Sequence, residues 1–471
     1  MALALGLAAC GGAEQYPNQP LPAHGANVDE RGLQPTVSRD RPVILMMFSG
    51  GGSRAAALAL AVLEELKRYS YTSGGQPRKL TDDIDFISSV SGGSVTAAYV
   101  GLYGTDDTAR LKAFLAADNM AMLEIAAVNP ITWGRLIFTG YTRIDALRDL
   151  LDRQLFDRKT FAAMNARGYP VIVLNATDMS SGEVFAFTAE RFNDICSDLP
   201  SLPISVGVSA SAAFPVLLSP VDLRDYAGAD CVGNVPTPDW IIKELEKRAA
   251  PYLDVEEYKR ARYAYSLRRE HDAFRDVQYL HLLDGGLVDN LGAHSLMNVV
   301  TSPHGTVRLL NAINDGKISK LVVIAVNARS DPPNSVSTDP GTPGVIPMIG
   351  AVTSNPIDAA TASVDTQLRA LLGEIKTAAA DAPRTASFKG MRVYDIQIDF
   401  DQLLPSQKEL QTAVKSTPTL WSIKPEQLQA VNQAGTLLLD QHPCFQKLLI
   451  DLGIPAGFID RPFAEAACPQ Q

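Results

Sequence analysis

In IDFISSVSGGSVTAAYV, residues 84–100, two structural patterns meet at a pair of glycines. The first seven residues form an apolar run of strand length, and the small residues from Gly92 onward predict a helix. A strand that leads through a tight turn into a helix is the repeating unit of α/β folds. The segment also holds four serines within seven positions, so the turn is a candidate for chemistry as well as for architecture.

The same alternation of strand and helix runs along the rest of the chain. Several of the predicted strands are apolar throughout, which is typical of a parallel sheet covered on both faces. The sequence therefore predicts an α/β fold with a mainly parallel central sheet between two layers of helices. Strands are predicted at 43–48, 84–90, 170–178, 183–188, 278–284, 320–328 and 392–400, and helices at 53–69 and 92–104.

The composition limits the classes of function. The chain has 471 residues, of which 46% are hydrophobic and 20% charged, so a globular core is expected. Its net charge of −10, without a block of lysine or arginine, argues against nucleic-acid binding. No apolar run approaches the roughly 18 residues that a membrane-spanning helix needs.

The N-terminal residues are expected to lie outside the folded domain. Leu7-Ala8-Ala9-Cys10 resembles the lipobox of bacterial lipoproteins, in which the cysteine is lipidated. This predicts a signal over residues 1–10 and a lipid anchor at Cys10, with the protein in the bacterial cell envelope, on the periplasmic side of the outer membrane. Residues 11–40 are rich in Gly, Pro, Asn and Gln and are expected to form a flexible tether. A chance alanine-rich start is the alternative.

Four further cysteines are expected to be oxidised in an exported protein. Among the three possible connectivities we expect Cys196 to pair with Cys231 and Cys444 with Cys468. Four unpaired buried thiols are the alternative. No spacing of cysteine and histidine suggests a metal site, and we predict neither a metal nor another cofactor.

Two segments interrupt the α/β pattern of a domain expected over residues 41–330. Residues 240–276 are charged and helical by composition, which predicts a helical insertion. Residues 119–141 are apolar and include Trp133, Phe138 and Tyr141. They indicate core packing or, alternatively, a substrate mouth or a membrane-facing cap.

A loop rich in glycine and proline, at 331–344, precedes a C-terminal region over 331–471. This region carries no motif that points to chemistry. We expect it to complete the sheet and to pack helices on the core. The sequence makes no prediction about the oligomeric state.

Among the four serines, Ser91 meets the steric requirements of a nucleophile. A nucleophile on a sharp strand–turn–helix needs small residues two positions before and two positions after it. Ser91 has Ser89 and Gly93 there, and it lies where the strand pattern ends. A helix N-terminus at this point directs N–H groups and a positive dipole end toward the reacting centre. Ser89 stands where the strict G-x-S-x-G pattern has glycine.

The segment FSGGGSRAAAL, residues 48–58, places three glycines after a predicted strand and at the start of a helix. Gly50, Gly51 and Gly52 allow the backbone to aim N–H groups into a pocket, as acyl transfer requires for its oxyanion. Arg54 opposes the helix dipole, so we expect it to orient the glycine loop or to contact a lipid phosphate. A dinucleotide fingerprint is the alternative, but the acidic residue that it needs at the end of the next strand is missing.

The segment HLLDGGLVDNLG, residues 281–292, ends a predicted strand in Asp284. Ligand sites of open α/β sheets collect at the C-terminal ends of strands, so this carboxylate is placed for a site. A turn aspartate is the alternative, since Asp-Gly is a common turn dipeptide.

Together these elements resemble the patatin-like phospholipase family, which has a glycine-rich oxyanion loop with arginine, a nucleophile-elbow serine and an Asp-Gly-Gly aspartate in that order. A further family-like block is SASAAFPVLLSPV, residues 209–221. The resemblance covers roughly residues 41–330 and implies the three-layer α/β/α fold of that family. It also implies a Ser–Asp dyad, in which Ser91 attacks an ester carbonyl and Asp284 accepts its proton.

The implied activity is that of a lipid acyl hydrolase of the phospholipase A or lysophospholipase type. The implied partners are membrane phospholipids or lysophospholipids. Three alternatives remain open. His281 or His294 could complete a Ser–His pair, the protein could be a non-catalytic lipid-binding lipoprotein of the envelope, or it could be an acyltransferase.

Overall fold

The computed structural model describes residues 16–121 except 24, 30 and 35, and 141–247 except 216, 229, 230 and 232–234. It also describes 255–268, 278–302, 309–330 and 345–469 except 384. At 255–256 and 345–356 it describes the backbone alone. Cys10, Trp133, Phe138 and the predicted loop at 331–344 lie outside the described residues.

A mixed, mostly parallel sheet of eight strands forms the centre of the fold, with the order β10-β9-β1-β4-β5-β8-β7 and β6 paired to β5. Strands β10, β9, β1, β4 and β5 run parallel, whereas β8 is antiparallel to β5 and to β7. Strands β2 and β3 form a separate hairpin. The strands are β1 (Val43–Phe48), β2 (Ser70–Ser73), β3 (Gln76–Lys79), β4 (Ile84–Val90), β5 (Val171–Asp178), β6 (Val184–Ala186), β7 (Val221–Arg224), β8 (Tyr279–Asp284), β9 (Lys320–Asn327) and β10 (Arg392–Asp399).

Helices cover both faces of this sheet, which confirms the predicted three-layer α/β fold. They are α1 (Gly52–Leu66), α2 (Gly92–Tyr103), α3 (Ala109–Ala116), α4 (Arg143–Leu151), α5 (Phe161–Ala166), α6 (Ala189–Asp194), α7 (Ile204–Ser211), α8 (Asp239–Glu246), α9 (Val255–Leu267), α10 (Gly286–Asp289), α11 (Ala293–Thr301), α12 (Leu309–Asn314), α13 (Val345–Asp381), α14 (Lys408–Lys415), α15 (Pro425–Gln441), α16 (Pro443–Asp451) and α17 (Arg461–Ala467). Short turns of other helix types lie at Leu80–Asp83, Asp152–Phe156, Phe400–Gln402 and Pro405–Gln407.

The alternation of side chains along β1 divides the core into two halves. Ile44, Met46 and Phe48 pack with α1, α2, α15 and α16 on one face of the sheet. Val43, Leu45 and Met47 pack with α11, α12 and α13 on the other face. Because both faces are covered, every residue of this strand is buried, which explains its continuous apolar sequence.

The outer strands β7 and β8 have a different burial pattern. Alternate residues of both strands are exposed, as in antiparallel strands with one face toward water. The four residues of β7 and the polar hairpin β2–β3 have no continuous apolar run, and the sequence did not predict them.

The N-terminal segment differs from the expected tether over residues 11–40, because from Tyr16 onward it packs on the domain. The buried amide of Asn18 donates to the carbonyl of Arg224 at 2.8 Å and accepts from its N–H at 3.0 Å. Asn18 therefore pairs with the edge strand β7 as a backbone would. Asn27 likewise donates to the carbonyl of Ser197 and accepts from the N–H of Leu199. A composition rich in Gly, Pro, Asn and Gln suggested flexibility, but the amides of Asn18 and Asn27 satisfy specific backbone groups.

Two disulfides join cysteines that are neighbours in the sequence. The pairs are Cys196–Cys231 and Cys444–Cys468, with Cα separations of 6.2 Å and 5.0 Å. The described part of the predicted insertion at 240–276 is helical, in α8 and α9. Just after α9, the buried Arg268 contacts Asp194 at 2.8 Å and joins the insertion to α6.

The C-terminal region belongs to the same structural body as the residues before it. Strand β10 pairs with β9 along its whole length, and α15 packs on α1. The predicted boundary at residue 330 is therefore not a boundary between two separately folded parts of the structure. Among the described residues, no helix combines the length and the hydropathy that crossing a membrane would require.

Candidate active site

The turn between β4 and α2 holds Ser91 in a backbone conformation that residues with side chains rarely adopt. Its φ is 50° and its ψ is −122°, the sharp geometry expected of a nucleophile elbow. The two following glycines make this turn possible. A Cβ on Gly92 would collide with the carbonyl of Gly52, and one on Gly93 would lie 2.6 Å from the carbonyl of Ser49. Sequence reasoning had singled out Gly93 but not Gly92.

Ser89, which stands where the strict pattern has glycine, is accommodated beneath the elbow. It is fully buried, and its hydroxyl donates to the carbonyl of Val173 at 3.3 Å. It also accepts a hydrogen bond from the hydroxyl of Ser94 at 3.1 Å. The extra hydroxyl therefore has partners, and the elbow forms with serine at this position.

The hydroxyl of Ser91 donates a hydrogen bond to Oδ2 of Asp284 at 2.7 Å. Ser91 is 9% exposed and Asp284 is 5% exposed, so the pair is largely desolvated. The other carboxylate oxygen accepts from the N–H of Gly286 at 2.8 Å. Burial raises the pKa of Asp284 to about 6, although the hydrogen bonds from Gly286 and Ser91 oppose the rise. The carboxylate is thus a stronger base than an exposed aspartate.

The backbone of Asp284 is fixed by neighbouring elements. Its N–H donates to the carbonyl of Ala213 at 3.0 Å, and its carbonyl accepts from the hydroxyl of Thr177 at 2.9 Å. A Cβ on Gly285 would collide with the carbonyl of Asn175, so the Asp-Gly turn can approach β5 only without a side chain.

The glycine loop follows β1 and lies against the elbow. A Cβ on Gly50 would lie 3.3 Å from the Cβ of Ser91. The N–H of Gly50, however, donates to the carbonyl of Asn290 at 2.9 Å, so this predicted oxyanion donor is already engaged. The N–H groups of Gly51 and Gly52 have no acceptor among the described residues. Both glycines have positive φ, at 136° and 58°. The loop therefore offers two amides, not three.

Arg54 is 2% exposed and ties the glycine loop to distant parts of the chain. Its Nε donates to the carbonyl of Ala328 at 2.8 Å, and its two terminal nitrogens donate to the carbonyl of Thr417 and to the hydroxyl of Thr419. Burial lowers the pKa of Arg54 to about 10, so the guanidinium remains charged at neutral pH. Of the two expected roles, this geometry favours orienting the loop over contacting a phosphate.

The two candidate histidines lie in other contacts. His281 on β8 faces Asp222 of β7, with 2.6 Å between Nδ1 and Oδ1, and both side chains are exposed. His294 lies 3.0 Å from the carboxylate of Asp289. The structure therefore pairs Ser91 with Asp284 and not with either of these histidines.

Several polar residues of the site were missed by sequence reasoning. The buried Asn175 of β5 donates to the hydroxyl of Ser88 and to the carbonyl of Ser89, and Ser211 of α7 accepts from the N–H of Ser91. Asn290 follows the Asp-Gly-Gly turn and holds Gly50. Asn290 and Ser211 both lie within segments quoted above, but nothing in their neighbouring residues marks either of them as part of a site.

Comparisons with solved structures found matches in a human enzyme. Human GIVD cytosolic phospholipase A2 matches with 12% identity and a TM-score of 0.44, over 92% of this chain and 61% of that chain. Its complex with methyl gamma-linolenyl fluorophosphonate inhibitor and terbium chloride matches with 18% identity and a TM-score of 0.24, over 32% of this chain and 24% of that chain. The chain thus spans less than two thirds of either structure's length. No curated protein sequence matches it.

The comparison with protein families gives a broader match. The family described as patatin-like phospholipase matches residues 46–297, more than half of the chain. The matched region contains the glycine loop, the Ser91 elbow and the Asp284 turn. On this match, the chain belongs to the patatin-like phospholipase family.

Proposed function

We propose that the protein is a serine lipid acyl hydrolase that cleaves the carboxylic esters of phospholipids or lysophospholipids with a Ser–Asp dyad. The observation that carries this proposal is the 2.7 Å hydrogen bond from the hydroxyl of Ser91 to Asp284. A hydroxyl at a strained elbow beside a buried carboxylate is suited to nucleophilic attack on an ester. Membership of the patatin-like phospholipase family supports the lipid substrate.

In the first half of the reaction, Asp284 takes the proton of Ser91 while the hydroxyl oxygen attacks the ester carbonyl. The ester C–O bond then breaks, and the departing alcohol takes that proton from Asp284. This leaves the acyl group on Ser91. In the second half, Asp284 takes a proton from water, the hydroxide attacks the acyl carbonyl, and the fatty acid leaves as Ser91 regains its proton.

The negative charge that develops on the attacked carbonyl oxygen needs donors fixed in advance. The amides of Gly51 and Gly52 are available for this role, whereas Gly50 serves to hold the loop against Asn290. The charged Arg54 lies beneath the same loop, with its Nη2 3.3 Å from the position that a Cβ on Gly51 would occupy. Loss of one such donor typically costs about 10²–10³ in rate.

Exposed apolar side chains at the same end of the sheet support a lipid surface as the source of substrate. Met179 directly follows β5, and Leu217 lies close after Ala213, whose carbonyl holds Asp284. Leu420, also exposed, accepts the N–H of Ser53 from the glycine loop. We propose that this rim meets the membrane or micelle from which the lipid enters.

We also propose that Cys10 is lipidated and holds the protein in the bacterial envelope. The contacts of Asn18 with β7 support a short connection, because only the residues between Cys10 and Tyr16 remain to span the gap. Six steps along the chain reach at most about 20 Å. Labelling with a radioactive fatty acid tests this, since wild type should incorporate the label and Cys10→Ala should not.

The function is tested by digesting a lipid extract with wild type, Ser91→Ala and Asp284→Asn and reading the products by mass spectrometry. Wild type should release free fatty acid, together with a lysolipid if the substrate is a phospholipid or a glycerol phosphodiester if it is a lysolipid. Neither variant should release any of these products. Folded Ser91→Ala that hydrolyses esters at the wild-type rate would refute the proposal. Acyl products on an added alcohol would identify an acyltransferase. Failure of a fluorophosphonate to label Ser91 in wild type would indicate a lipid-binding scaffold.

A further inference from the structure

We propose that Ser211 is a positioning residue of the active site, whose buried hydroxyl holds the strained backbone of Ser91 so that the nucleophile faces Asp284. This inference rests on the proposed esterase function and assigns Ser211 a role that acts through Ser91. It concerns α7, which ends beside both members of the dyad.

The hydroxyl of Ser211 joins the elbow to the neighbouring strand. It accepts a hydrogen bond from the N–H of Ser91 at 2.9 Å and donates one to the carbonyl of Asn175 at 2.6 Å. Ser211 is 0% exposed, so water does not compete for these bonds. Since its single proton is directed to Asn175, its lone pairs are left to accept from Ser91.

The N–H of Ser91 needs such a partner because of its place in the chain. Ser91 immediately precedes α2, and amides at a helix N-terminus have no acceptor within their own helix. Its φ of 50° and ψ of −122° are strained for a residue with a side chain. Such strain persists only where surrounding contacts hold the backbone in place. The bond from Ser91 to Ser211 is one of these contacts.

The same end of α7 also fixes the other member of the dyad. The carbonyl of Ser211 accepts from the N–H of Gly285 at 3.1 Å, and the carbonyl of Ala213 accepts from the N–H of Asp284. One short segment therefore holds Ser91 through a side chain and Asp284 through the backbone. This arrangement sets the distance between the nucleophile and its base.

A matched control lies two residues away on the same helix. Ser209 is also 0% exposed, and its hydroxyl has no hydrogen-bond partner among the described residues. Ser209→Ala and Ser211→Ala therefore remove the same atom from the same helix at equal burial. They differ in that the Ser211 hydroxyl bonds Ser91, Asn175 and Ser94, whereas the Ser209 hydroxyl bonds none of the described residues.

The experiment compares wild type, Ser209→Ala and Ser211→Ala in steady-state hydrolysis of a soluble short-chain ester and in the rate of fluorophosphonate labelling of Ser91. We expect Ser211→Ala to lower kcat and the labelling rate by about 10²-fold, as misplacement of a reacting group by about 1 Å does, with little change in KM. Ser209→Ala should keep both rates near those of wild type. A purely structural role would lower the melting temperature and leave kcat of the folded enzyme unchanged.

Equal kcat and equal labelling rates in folded Ser209→Ala and Ser211→Ala would overturn the proposal. If Ser211→Ala does not fold, Ser211→Cys retains a weaker acceptor and should still lower the labelling rate, whereas a wild-type rate in that variant would overturn it too. Labelling also separates this proposal from the proposed function. A wild type that is labelled but hydrolyses no lipid contradicts the function alone, whereas a wild type that is neither labelled nor active contradicts both.

Discussion

The hydroxyl of Ser91 and the carboxylate of Asp284 lie 2.7 Å apart although 193 positions separate them in the chain. Ser91 directly follows β4, and Asp284 is the last residue of β8, which runs antiparallel to β5. Strand β5 brings the two together. Its residue Asn175 pairs with Val90, which precedes Ser91, and the next residue, Ala176, pairs with Asp284. Strand register thus fixes the dyad.

The raised pKa of Asp284 predicts the pH dependence of activity. The base must be ionised to take the proton of Ser91, and burial raises the pKa of this carboxyl to about 6. We expect kcat/KM for a soluble ester to fall about tenfold per pH unit below pH 6 and to level off above it. The measurement is a pH–rate profile over the range in which circular dichroism shows the enzyme folded. An acid limb centred near pH 4 would contradict this assignment.

The same pKa predicts that Asp284 destabilises the folded protein at neutral pH. Its pKa is raised from 3.8 to about 6 on folding, so its contribution to stability is fully present below pH 3.8 and is lost as the pH rises through 6. Asp284→Asn should therefore be more stable than wild type at pH 7.5, by up to about 3 kcal/mol, and the gain should shrink below pH 6. Urea unfolding at several pH values measures it.

Substitution of Gly92 is predicted to lower the activity as much as substitution of Ser91 or Asp284. A Cβ there collides with the backbone carbonyl of Gly52, which cannot move without displacing the glycine loop. Gly92→Ala should abolish ester hydrolysis and lower the melting temperature. Gly373 in α13 is the matched control, because a Cβ there meets nothing within 4 Å and alanine favours a helix by about 1 kcal/mol. Normal activity of Gly92→Ala would show that the loop adapts.

Arg54→Lys distinguishes the two roles considered for this cation. Lysine keeps the charge but cannot reproduce the planar fork that reaches Ala328, Thr417 and Thr419. If Arg54 orients the loop, kcat should fall about 10²-fold alike for phospholipid and for a phosphate-free ester. If it binds phosphate, the loss should be confined to phospholipid. Arg68→Lys, at an exposed site paired with Glu65, should have no effect on either substrate.

Asn18→Ala tests whether the N-terminal segment is part of the fold. The substitution leaves the N–H and carbonyl of Arg224 without their buried partner. We expect a loss of about 1–3 kcal/mol in the free energy of unfolding. The exposed Asn311→Ala should change it by less than about 0.5 kcal/mol. Equal stability of the two variants would indicate that residues before 40 behave as a tether after all.

The sequence predicted the central strands well because burial on both faces produces a simple signal. Most residues of β1, β4 and β5 are apolar or small, so the runs are visible without knowledge of their neighbours, although β4 also buries Asp85 and β5 buries Asn175 and Asp178. Strand β7 alternates between buried and exposed residues over only four positions, which is too short to stand out. The hairpin β2–β3 is polar and pairs only with itself.

The site was predictable where chemistry imposes a local pattern. Ser91 requires small neighbours, and Asp284 requires glycines that let its turn approach β5, so both leave a trace in the adjacent residues. Asn175 and Ser211 leave none, because their partners lie far away: Ser91 is 120 positions from Ser211, and Ser88 is 87 positions from Asn175. Such contacts depend on strand register and helix packing, which no short motif encodes.

The hydrogen bonds from Arg54 to Ala328 and Thr417 determine when, during synthesis of the chain, the glycine loop can be held in place. Both acceptors lie beyond the family match, which ends at residue 297, and β9 occupies the centre of the sheet beside β1. A nascent chain that has emerged only as far as Asp284 contains both Ser91 and Asp284 but lacks the residues that hold Arg54 and the glycine loop in place. We therefore expect hydrolytic activity to appear only after synthesis has passed residue 420, so that a shorter ribosome-bound chain is harmless to lipids.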